Sequence, residues 1–265
     1  MIDYNKICHE VVKAVLDTEK FILRESGRFD RNMTESKGLH DLVSYVDKGS
    51  EKMLVEKLEI ILPEAGFLAE EGTSTKKGEK YCWVIDPLDG TTNFVHGVRP
   101  FSISVALTEG EEPVAGVVCE IGGNEIFTAW KNGGAWLNNN RIYVSEVNRL
   151  ADGLIATGFP YSDFSRLNSF MDSLTHFCKT THGIRRLGSA AIDLAYVACG
   201  RFETFYEYGL HPWDIAAGIL LVREAGGRVS DFSGKENCLS GEEVLAANNL
   251  VFNEFLEIVS KFMKP

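Results

Sequence analysis

The sequence predicts an α+β or layered α/β protein whose two halves meet at a cleft. Helical patterns occupy the first 62 residues, strand-like runs dominate from residue 81 to 144, and helices alternate with strands after residue 150. A block of strands followed by alternating units is typical of layered folds, in which each element buries its apolar face against the next layer. The chain of 265 residues is at the upper limit of one domain, or long enough for two small ones.

Two amphipathic helices are predicted near the N-terminus. The first spans residues 3–26, and the second spans residues 48–62 and ends before Pro63. The polar segment between them, residues 28–47, is long for a connection, so we expect a functional or mobile loop there.

The remaining elements follow from hydrophobic periodicity and from the turn residues that separate them. Runs of β-branched and aromatic residues predict strands at 81–86, 101–110, 113–122 and 125–130 and a hairpin at 133–144. Beyond residue 150 the predicted order is strand 154–160, helices 166–180 and 188–199, strand 202–207, helix 212–227, strands 228–232 and 244–248, and helix 250–263.

The charge balance restricts the class of partner. The net charge is −11, from 27 basic and 38 acidic side chains, which argues against broad affinity for nucleic acid or for an anionic membrane. An acidic protein that acts on an anionic substrate would need bound cations to invert its local field. Arg185 and Arg186 form one basic pair, for which we expect a subunit interface or salt bridges.

Several observations predict a soluble, cytoplasmic protein. The longest apolar run, residues 216–222, is far too short to span a bilayer, and the N-terminus does not have the pattern of a secretory signal. Six cysteines are scattered without the spacing of a zinc site, which favours reduced thiols.

The segment WVIDPLDGTTNF (83–94) is the first candidate site. Asp89 could cap a helix that starts after it, and Asp86 could form a turn, but this explanation leaves two neighbouring acids at the end of a buried strand. Buried carboxylates are costly unless they are paired or bind a metal, and Mg²⁺ prefers oxygen ligands. The amides and hydroxyls of Gly90, Thr91 and Thr92, at a helix N-terminus, suit a phosphate.

Three further positions place acids where metal ligands or caps occur. Glu70 and Glu71 follow an apolar stretch, Asp214 is in the first turn of the helix after Pro212, and Asp47 stands just before a predicted helix. Each has a plain alternative: a solvated turn for the glutamates, a favourable helix dipole for Asp214 and an N-cap for Asp47. Their combination is the signal.

That combination closely resembles the inositol monophosphatase family of Mg²⁺-dependent, lithium-sensitive-type phosphatases. The matching segments cover nearly the whole chain in order: KGLHDLVSYVD (37–47), AEEG (69–72), WVIDPLDGTTNFVHG (83–97), RRLGSAAIDLAYVACG (185–200) and EYGLHPWDIAAGILLVREAGG (207–227). Ser44 stands where the family often has threonine. The resemblance implies one domain over residues 1–265 with alternating helix and sheet layers, an αβαβα sandwich. Its N-terminal half, 1–150, contains the main metal motif, and its C-terminal half, 151–265, is of α/β type.

The resemblance also implies roles for individual residues. The implied metal ligands are the side chains of Glu70, Asp86, Asp89 and Asp214 and the carbonyl of Leu88. The implied catalytic residues are Asp47, Glu70 and Thr91, of which Thr91 and Asp47 orient and deprotonate the attacking water. The implied substrate contacts are Leu88, Asp89, Gly90, Thr91, Gly188, Ser189, Ala190, Glu207 and Asp214, with Glu207 accepting a hydroxyl of the polyol.

The expected function is hydrolysis of inositol monophosphates to inositol and phosphate by water activated on two or three Mg²⁺ ions. One alternative is the same chemistry on another sugar phosphate, such as fructose 1,6-bisphosphate. Another is a regulatory partner of the transcription machinery, because one branch of the family associates with it. The resemblance further implies a homodimer, while the charge balance predicts no membrane partner and disfavours nucleic acid.

Overall fold

The computed structural model describes residues 2–30, 35–38, 41–161, 163–239 and 242–263. The helices are α1 Tyr4–Ser26, α2 Tyr45–Ile61, α3 Thr91–His96, α4 Leu167–Thr180, α5 Ala190–Ala198, α6 Pro212–Glu224 and α7 Phe252–Met263. The strands are β1 Glu35–Gly38, β2 Asp41–Val43, β3 Gly66–Ala69, β4 Tyr81–Asp89, β5 Ser102–Glu109, β6 Glu112–Glu120, β7 Glu125–Trp130, β8 Gly134–Leu137, β9 Asn140–Ile142, β10 Leu154–Thr157, β11 Gly183–Arg185, β12 Thr204–Tyr208, β13 Arg228–Ser230 and β14 Glu243–Ala247. A 3₁₀ turn covers Leu150–Asp152.

Two large sheets divide the chain near residue 150. The first has seven strands in the order β3-β4-β5-β6-β7-β8-β9, antiparallel except for the parallel pair β3–β4. The second has five strands in the order β11-β10-β12-β14-β13, with β10 parallel to both β11 and β12 and the other pairs antiparallel. Strands β1 and β2 form a separate antiparallel pair.

The helices and sheets form five layers, which confirms the predicted αβαβα arrangement. Helices α1 and α2 pack on one face of the seven-stranded sheet, and α5 and α6 lie between the two sheets. Helices α4 and α7 cover the outer face of the five-stranded sheet. Three apolar clusters fill the space between α1, α2 and the first sheet, the space around α5 and α6 between the sheets, and the space under α4 and α7, because a sheet buried on both faces needs apolar side chains on both sides. None of the described helices has the length and apolar character needed to cross a membrane.

The segment predicted as a long loop, residues 28–47, is partly regular. It contains β1 and β2, and α2 begins at Tyr45 rather than at residue 48. Ser44 is the N-cap of α2 and Asp47 is its third residue, and together they form a capping box. The prediction placed the helix start too late because Asp47 was taken as a possible cap. Residues 31–34, 39 and 40 of this segment lie outside the described residues.

Three other differences concern short or interrupted strands. Strands β3 and β11 are only 4 and 3 residues long and were not predicted. Strand β4 was expected to stop before Pro87 but continues to Asp89. Its pairing with β5 is irregular between Asp86 and Asp89, which face Ser104 and Ser102, so β4 contains one extra residue there. A bulge accommodates proline because the extra residue need not donate to the ladder.

Candidate active site

The bulge at the end of β4 brings Asp86 and Asp89 to the same side of the sheet. Residues three apart on a regular strand point to opposite faces, and one inserted residue cancels that alternation. Both side chains line one cavity. Asp86 is 2% exposed, and its Oδ1 accepts a hydrogen bond of 2.9 Å from the backbone N–H of Leu88.

Gly90 makes the turn from β4 into α3. Its φ is +88°, which an L-residue rarely adopts, and it is the N-cap of α3. A Cβ at Gly90 would lie 2.9 Å from the carbonyl oxygen of Gly188. The backbone of the 187–189 segment therefore lies directly against this turn, and Asn93 fixes that contact by donating to the carbonyl oxygens of Leu187 and Pro100 at 2.8 and 2.7 Å.

Thr91 and Asp47 are in direct contact, as the resemblance implies. Thr91 Oγ1 is 2.9 Å from Asp47 Oδ1 and 3.0 Å from the carbonyl oxygen of Leu88. Asp47 Oδ2 accepts bonds from the backbone N–H and hydroxyl of Ser44, at 2.8 and 2.6 Å. Burial raises the pKa of Asp47, although the bonds from Ser44 and Thr91 oppose the rise. Hydrogen bonds to both of its oxygens hold the Asp47 carboxylate in one position.

Asp89 does not cap α3, so the local alternative for this acid is wrong. Its Oδ2 instead accepts bonds from the Ser189 hydroxyl at 2.5 Å, the Ala191 N–H at 2.9 Å and the Ser102 hydroxyl at 3.3 Å. Ser189 is the N-cap of α5, so Asp89 lies at the positive end of that helix. The acid joins the end of β4 to an element more than 100 residues further along the chain.

Asp214 and Glu70 approach the same cavity from two other elements. Asp214 is in the first turn of α6, and its Oδ2 accepts a bond of 2.7 Å from the N–H of His211, the N-cap residue. Glu70 follows β3, and its N–H donates to the carbonyl of Ile85 in β4. The buried carboxylate of Glu51 accepts bonds of 2.7 Å from the N–H groups of Glu71 and Thr73, so it holds the turn that carries Glu70.

The cavity has a volume of about 330 Å³. Its lining includes every residue that the resemblance assigned to the metal or the substrate, namely Glu70, Asp86, Leu88, Asp89, Gly90, Thr91, Gly188, Ser189, Ala190, Glu207 and Asp214. Asp47 does not line it and reaches it only through Thr91. Glu207 of β12 lies against Gly158, where a Cβ would be 1.9 Å from its Oε1, so a larger residue there would displace the Glu207 carboxylate.

Two features of the cavity were not predicted from the sequence. Arg186 and Tyr161 line it, although the arginine pair was expected at a subunit interface or in salt bridges. Within the described ranges Arg186 forms no ion pair. Glu51 was also missed, because a helical glutamate gives no sequence signal for a bond to a distant turn.

The acids of the cavity destabilise one another's charged forms. Burial raises the pKa of Asp86 well above its ordinary value, and the neighbouring carboxylates of Glu70, Asp89 and Asp214 raise it further. Burial also raises the pKa of Asp214 and of Asp89, with the charge of Asp89 adding to the rise at Asp214. A bound cation would offset both causes, since it pairs with the carboxylates and replaces their lost hydration.

The donor set fits a hard divalent cation. The carboxylates of Glu70, Asp86, Asp89 and Asp214 and the carbonyl of Leu88 offer only oxygen atoms, which Mg²⁺ prefers, and no cysteine is among the described lining residues. Across the described part of the chain, no three His, Cys, Asp or Glu side chains are grouped closely enough to hold a metal ion as they stand. Mg²⁺ commonly keeps several water ligands, so the carboxylates need not all reach the ion directly.

Oxygen ligands for a hard cation and a glycine turn at a helix N-terminus line one cavity, and this arrangement can hold Mg²⁺ beside a phosphate. The family model for the inositol monophosphatase family matches residues 5–262, and the chain belongs to that family. It is 41% identical over 257 residues to the putative Nus factor SuhB of Neisseria meningitidis, covering 97% of this chain and 98% of that protein. It is 40% identical to the fructose-1,6-bisphosphatase/inositol-1-monophosphatase of Thermotoga maritima, covering 90% of each.

The fold is shared with a solved relative. The crystal structure of extragenic suppressor protein suhB from Bartonella henselae superposes with a TM-score of 0.91 at 36% identity, covering 97% of this chain and 99% of that one.

Proposed function

We propose that this protein hydrolyses inositol monophosphates to inositol and phosphate with two or three bound Mg²⁺ ions. As a member of the inositol monophosphatase family the chain is an enzyme, a phosphatase. The observation that supports the proposed site is the convergence of Glu70, Asp86, Asp89 and Asp214 on one cavity beside the Gly90–Thr91 turn.

The metal ions supply an activated water and stabilise the charge of the leaving oxygen. Glu70, Asp86, Asp89, Asp214 and the Leu88 carbonyl would hold them. Thr91 is placed to orient the water, because its one hydroxyl proton can be donated to Asp47 Oδ1 while the oxygen accepts a hydrogen bond from the water. Asp47 is the acceptor for the proton that passes through Thr91 Oγ1. Its raised pKa makes it a better base than an exposed aspartate.

Glu207 lines the same cavity and is placed to recognise the alcohol part of the substrate. Glu207 is 7% exposed, and burial raises its pKa to about 8. A buried acid with this pKa can hydrogen-bond a substrate hydroxyl, and its desolvation penalises a ligand that leaves it unpaired. Gly188, Ser189 and Ala190 also line the cavity, where the N-terminus of α5 lies beside Asp89 and the Gly188 backbone lies against Gly90.

The decisive experiment measures phosphate release from inositol 1-phosphate in EDTA and after Mg²⁺ is restored. Wild type should be inactive in EDTA and recover fully with Mg²⁺, whereas Asp86→Asn should recover less than about 1% of that rate because one metal ligand loses its charge. Asp172→Asn, an exposed acid on α4, is the matched control and should behave as wild type. Full turnover by wild type in EDTA would refute the metal mechanism.

The substrate, the assembly and the location are parts of the same proposal. A panel of inositol, fructose, nucleotide and histidinol phosphates separates the leading substrate from fructose 1,6-bisphosphate, which the name of the Thermotoga relative favours as the alternative.

We propose a single domain over residues 1–265, assembled as a cytoplasmic homodimer. Light scattering should give twice the monomer mass of 29.4 kDa.

A regulatory role is a second candidate, favoured by the name putative Nus factor of the Neisseria relative. Such a role does not require an intact metal site, so the two functions are separable. Asp86→Asn should remove phosphatase activity and retain binding to the transcription machinery, if this chain binds it at all. Failure of wild type to bind purified RNA polymerase complexes would remove this candidate.

A further inference from the structure

Glu51 is a buried acid of α2 that lies outside the cavity lining and binds the backbone next to one of the cavity's acids. Its two oxygens accept hydrogen bonds of 2.7 Å, one from the N–H of Glu71 and one from the N–H of Thr73. Glu70, which lines the cavity, directly precedes this pair. Both oxygens of the Glu51 carboxylate therefore fix the segment that carries a proposed metal ligand.

The other restraints on this segment come from the backbone itself. The N–H of Glu70 donates to the carbonyl oxygen of Ile85 in β4 at 3.2 Å, and the N–H of Gly72 donates to the carbonyl oxygen of Ala69 at 3.3 Å. The contacts with Glu51 differ because a side chain supplies them. A single substitution on α2 can therefore loosen the turn without changing the sequence of the turn.

The same helical turn of α2 also contacts the residue proposed to position the water. Asp47 and Glu51 are four residues apart, so both lie on the buried face of the helix, which continues with Leu54 and Leu58. Asp47 Oδ1 accepts the hydrogen bond of 2.9 Å from Thr91 Oγ1. The first part of this face thus carries two acids where an amphipathic helix normally buries apolar side chains.

Packing alone does not explain a carboxylate at position 51. An ionised acid loses its hydration on burial, and an apolar side chain on the same face would avoid that loss. A carboxylate instead supplies two acceptors at a fixed spacing, and its bonds to N–H groups are stronger than those of a neutral acceptor. This geometry holds residues 71–73 in one position before any ligand binds.

We propose that Glu51 is a positioning residue that pre-organises Glu70 to bind Mg²⁺. This rests on the proposed function, in which Glu70 is a metal ligand. Mg²⁺ demands nearly ideal octahedral geometry, so a ligand that is already held near its bound position binds the ion with less reorganisation. Residues that orient metal ligands commonly change metal affinity by about 10- to 100-fold when they are replaced. Glu51 therefore sets the affinity for the ion rather than the rate of attack by water.

The test measures the Kd for Mg²⁺ by calorimetric titration without substrate. Glu51→Gln keeps the shape of the side chain, but one of its two acceptors becomes an NH₂ group that faces a backbone N–H. The Kd should rise about 10- to 100-fold. The Mg²⁺ concentration that gives half-maximal phosphate release should rise by a similar factor, while kcat in saturating Mg²⁺ should fall by less than about threefold.

Glu56→Gln is the matched control, because it makes the same change at an exposed position of the same helix. It should leave the Kd for Mg²⁺ and the rate of phosphate release unchanged. An unchanged Kd in Glu51→Gln, or an equal rise in both variants, would overturn the proposal.

A double-mutant cycle with Glu70→Gln tests whether Glu51 acts through Glu70. Once Glu70 has lost its charge, adding Glu51→Gln should change the Kd for Mg²⁺ by less than about threefold, because the two residues affect the same contact. A merely structural role predicts that the full loss caused by Glu51→Gln is seen with either residue at position 70. That result would refute the positioning role.

Amide hydrogen exchange on wild type tests the same contact without a variant, and so applies even if Glu51→Gln does not fold. The N–H groups of Glu71 and Thr73 should be protected in EDTA, because Glu51 binds them whether or not Mg²⁺ is present. Protection that develops only with Mg²⁺ would overturn the pre-organisation. Failure of wild type to bind Mg²⁺ would refute the proposed function, whereas normal binding by both wild type and Glu51→Gln would refute this inference alone.

Discussion

Replacing Asp89 with asparagine should reverse the order of thermal stability of variant and wild type when Mg²⁺ is added. Asp89 accepts bonds from Ser189, Ala191 and Ser102 through one oxygen, Oδ2. Asparagine keeps a carbonyl oxygen of nearly the same shape, so these bonds can persist with a neutral acceptor. The substitution mainly removes the negative charge.

Without metal that charge destabilises the fold. Burial raises the pKa of Asp89 from 3.8, and the bonds from Ser189, Ala191 and Ser102 do not cancel the rise. An acid whose pKa is raised on folding loses stability as the pH increases from its unfolded value through its folded one, so the ionised carboxylate is unfavourable at neutral pH. The variant loses about 1 kcal/mol for each bond that is no longer charge-assisted. It also avoids the cost of burying a charge, and that cost is larger than the energy of the three bonds. In EDTA it should melt no lower than wild type.

With Mg²⁺ the order should change. At a hundredfold excess over Kd, metal binding stabilises wild type by about 2.7 kcal/mol. A variant whose Kd rises about 100-fold, as for loss of a residue that supports a metal, gains about 0.4 kcal/mol at the same concentration. The difference of about 2.3 kcal/mol corresponds to about 5–9 °C in Tm at about 2–4 °C per kcal/mol.

The assay is a set of melting curves of both proteins in EDTA and in saturating Mg²⁺. A purely structural role for Asp89, as a cap of α5, predicts the same difference between the proteins in both buffers. An unchanged difference would therefore refute metal binding by this carboxylate.

Three further predictions follow from the same geometry. Thr91→Ala should retain the Mg²⁺-induced rise in Tm but lose about 10²- to 10⁴-fold in kcat, and near-normal kcat would exclude Thr91 from water activation. Glu207→Ala should lower kcat/KM for inositol 1-phosphate by at least tenfold more than for p-nitrophenyl phosphate, whereas equal losses would assign Glu207 to the metal site or the fold. In EDTA, Glu207→Gln should gain stability relative to wild type as the pH rises from 4.5 to about 8, because in that window the acid ionises in the unfolded chain while burial keeps it protonated in the folded one; a constant difference would contradict the raised pKa.

The acids of the proposed site were candidates because of their local positions, although each position also had a plain structural explanation. Asp86 and Asp89 end an apolar strand, and Asp214 follows a proline at a helix start. Their convergence was predictable only through the family resemblance, since no periodicity relates β4 to α6. The bulge at Pro87 could not be derived either, because proline in a strand run normally predicts an end.

Arg186 was recognised in the sequence as one of a basic pair, but its position in the cavity wall was not predicted. A basic pair in an acidic chain is commonly a surface feature, and Arg185 fits that description. Arg186 differs because the glycine turn at Gly188 and the rings of Phe159 and Tyr161 draw it over the cavity. Those contacts join segments about 25 residues apart, which no local pattern encodes.

Residues from both halves of the chain build the proposed site, so metal affinity should depend on how the two halves pack. Three contacts join the turn after β4 to residues 187–191: Asp89 with Ser189 and Ala191, Asn93 with Leu187, and Gly90 against Gly188. Asp214, the last of the proposed metal ligands, lies in the first turn of α6, the helix that packs between the two sheets. Residues 1–150 contain the other proposed ligands but lack Asp214 and the N-terminus of α5, which holds Asp89. Metal affinity is therefore coupled to the packing of the halves, and a core substitution that loosens α5 or α6 weakens the site without touching a ligand.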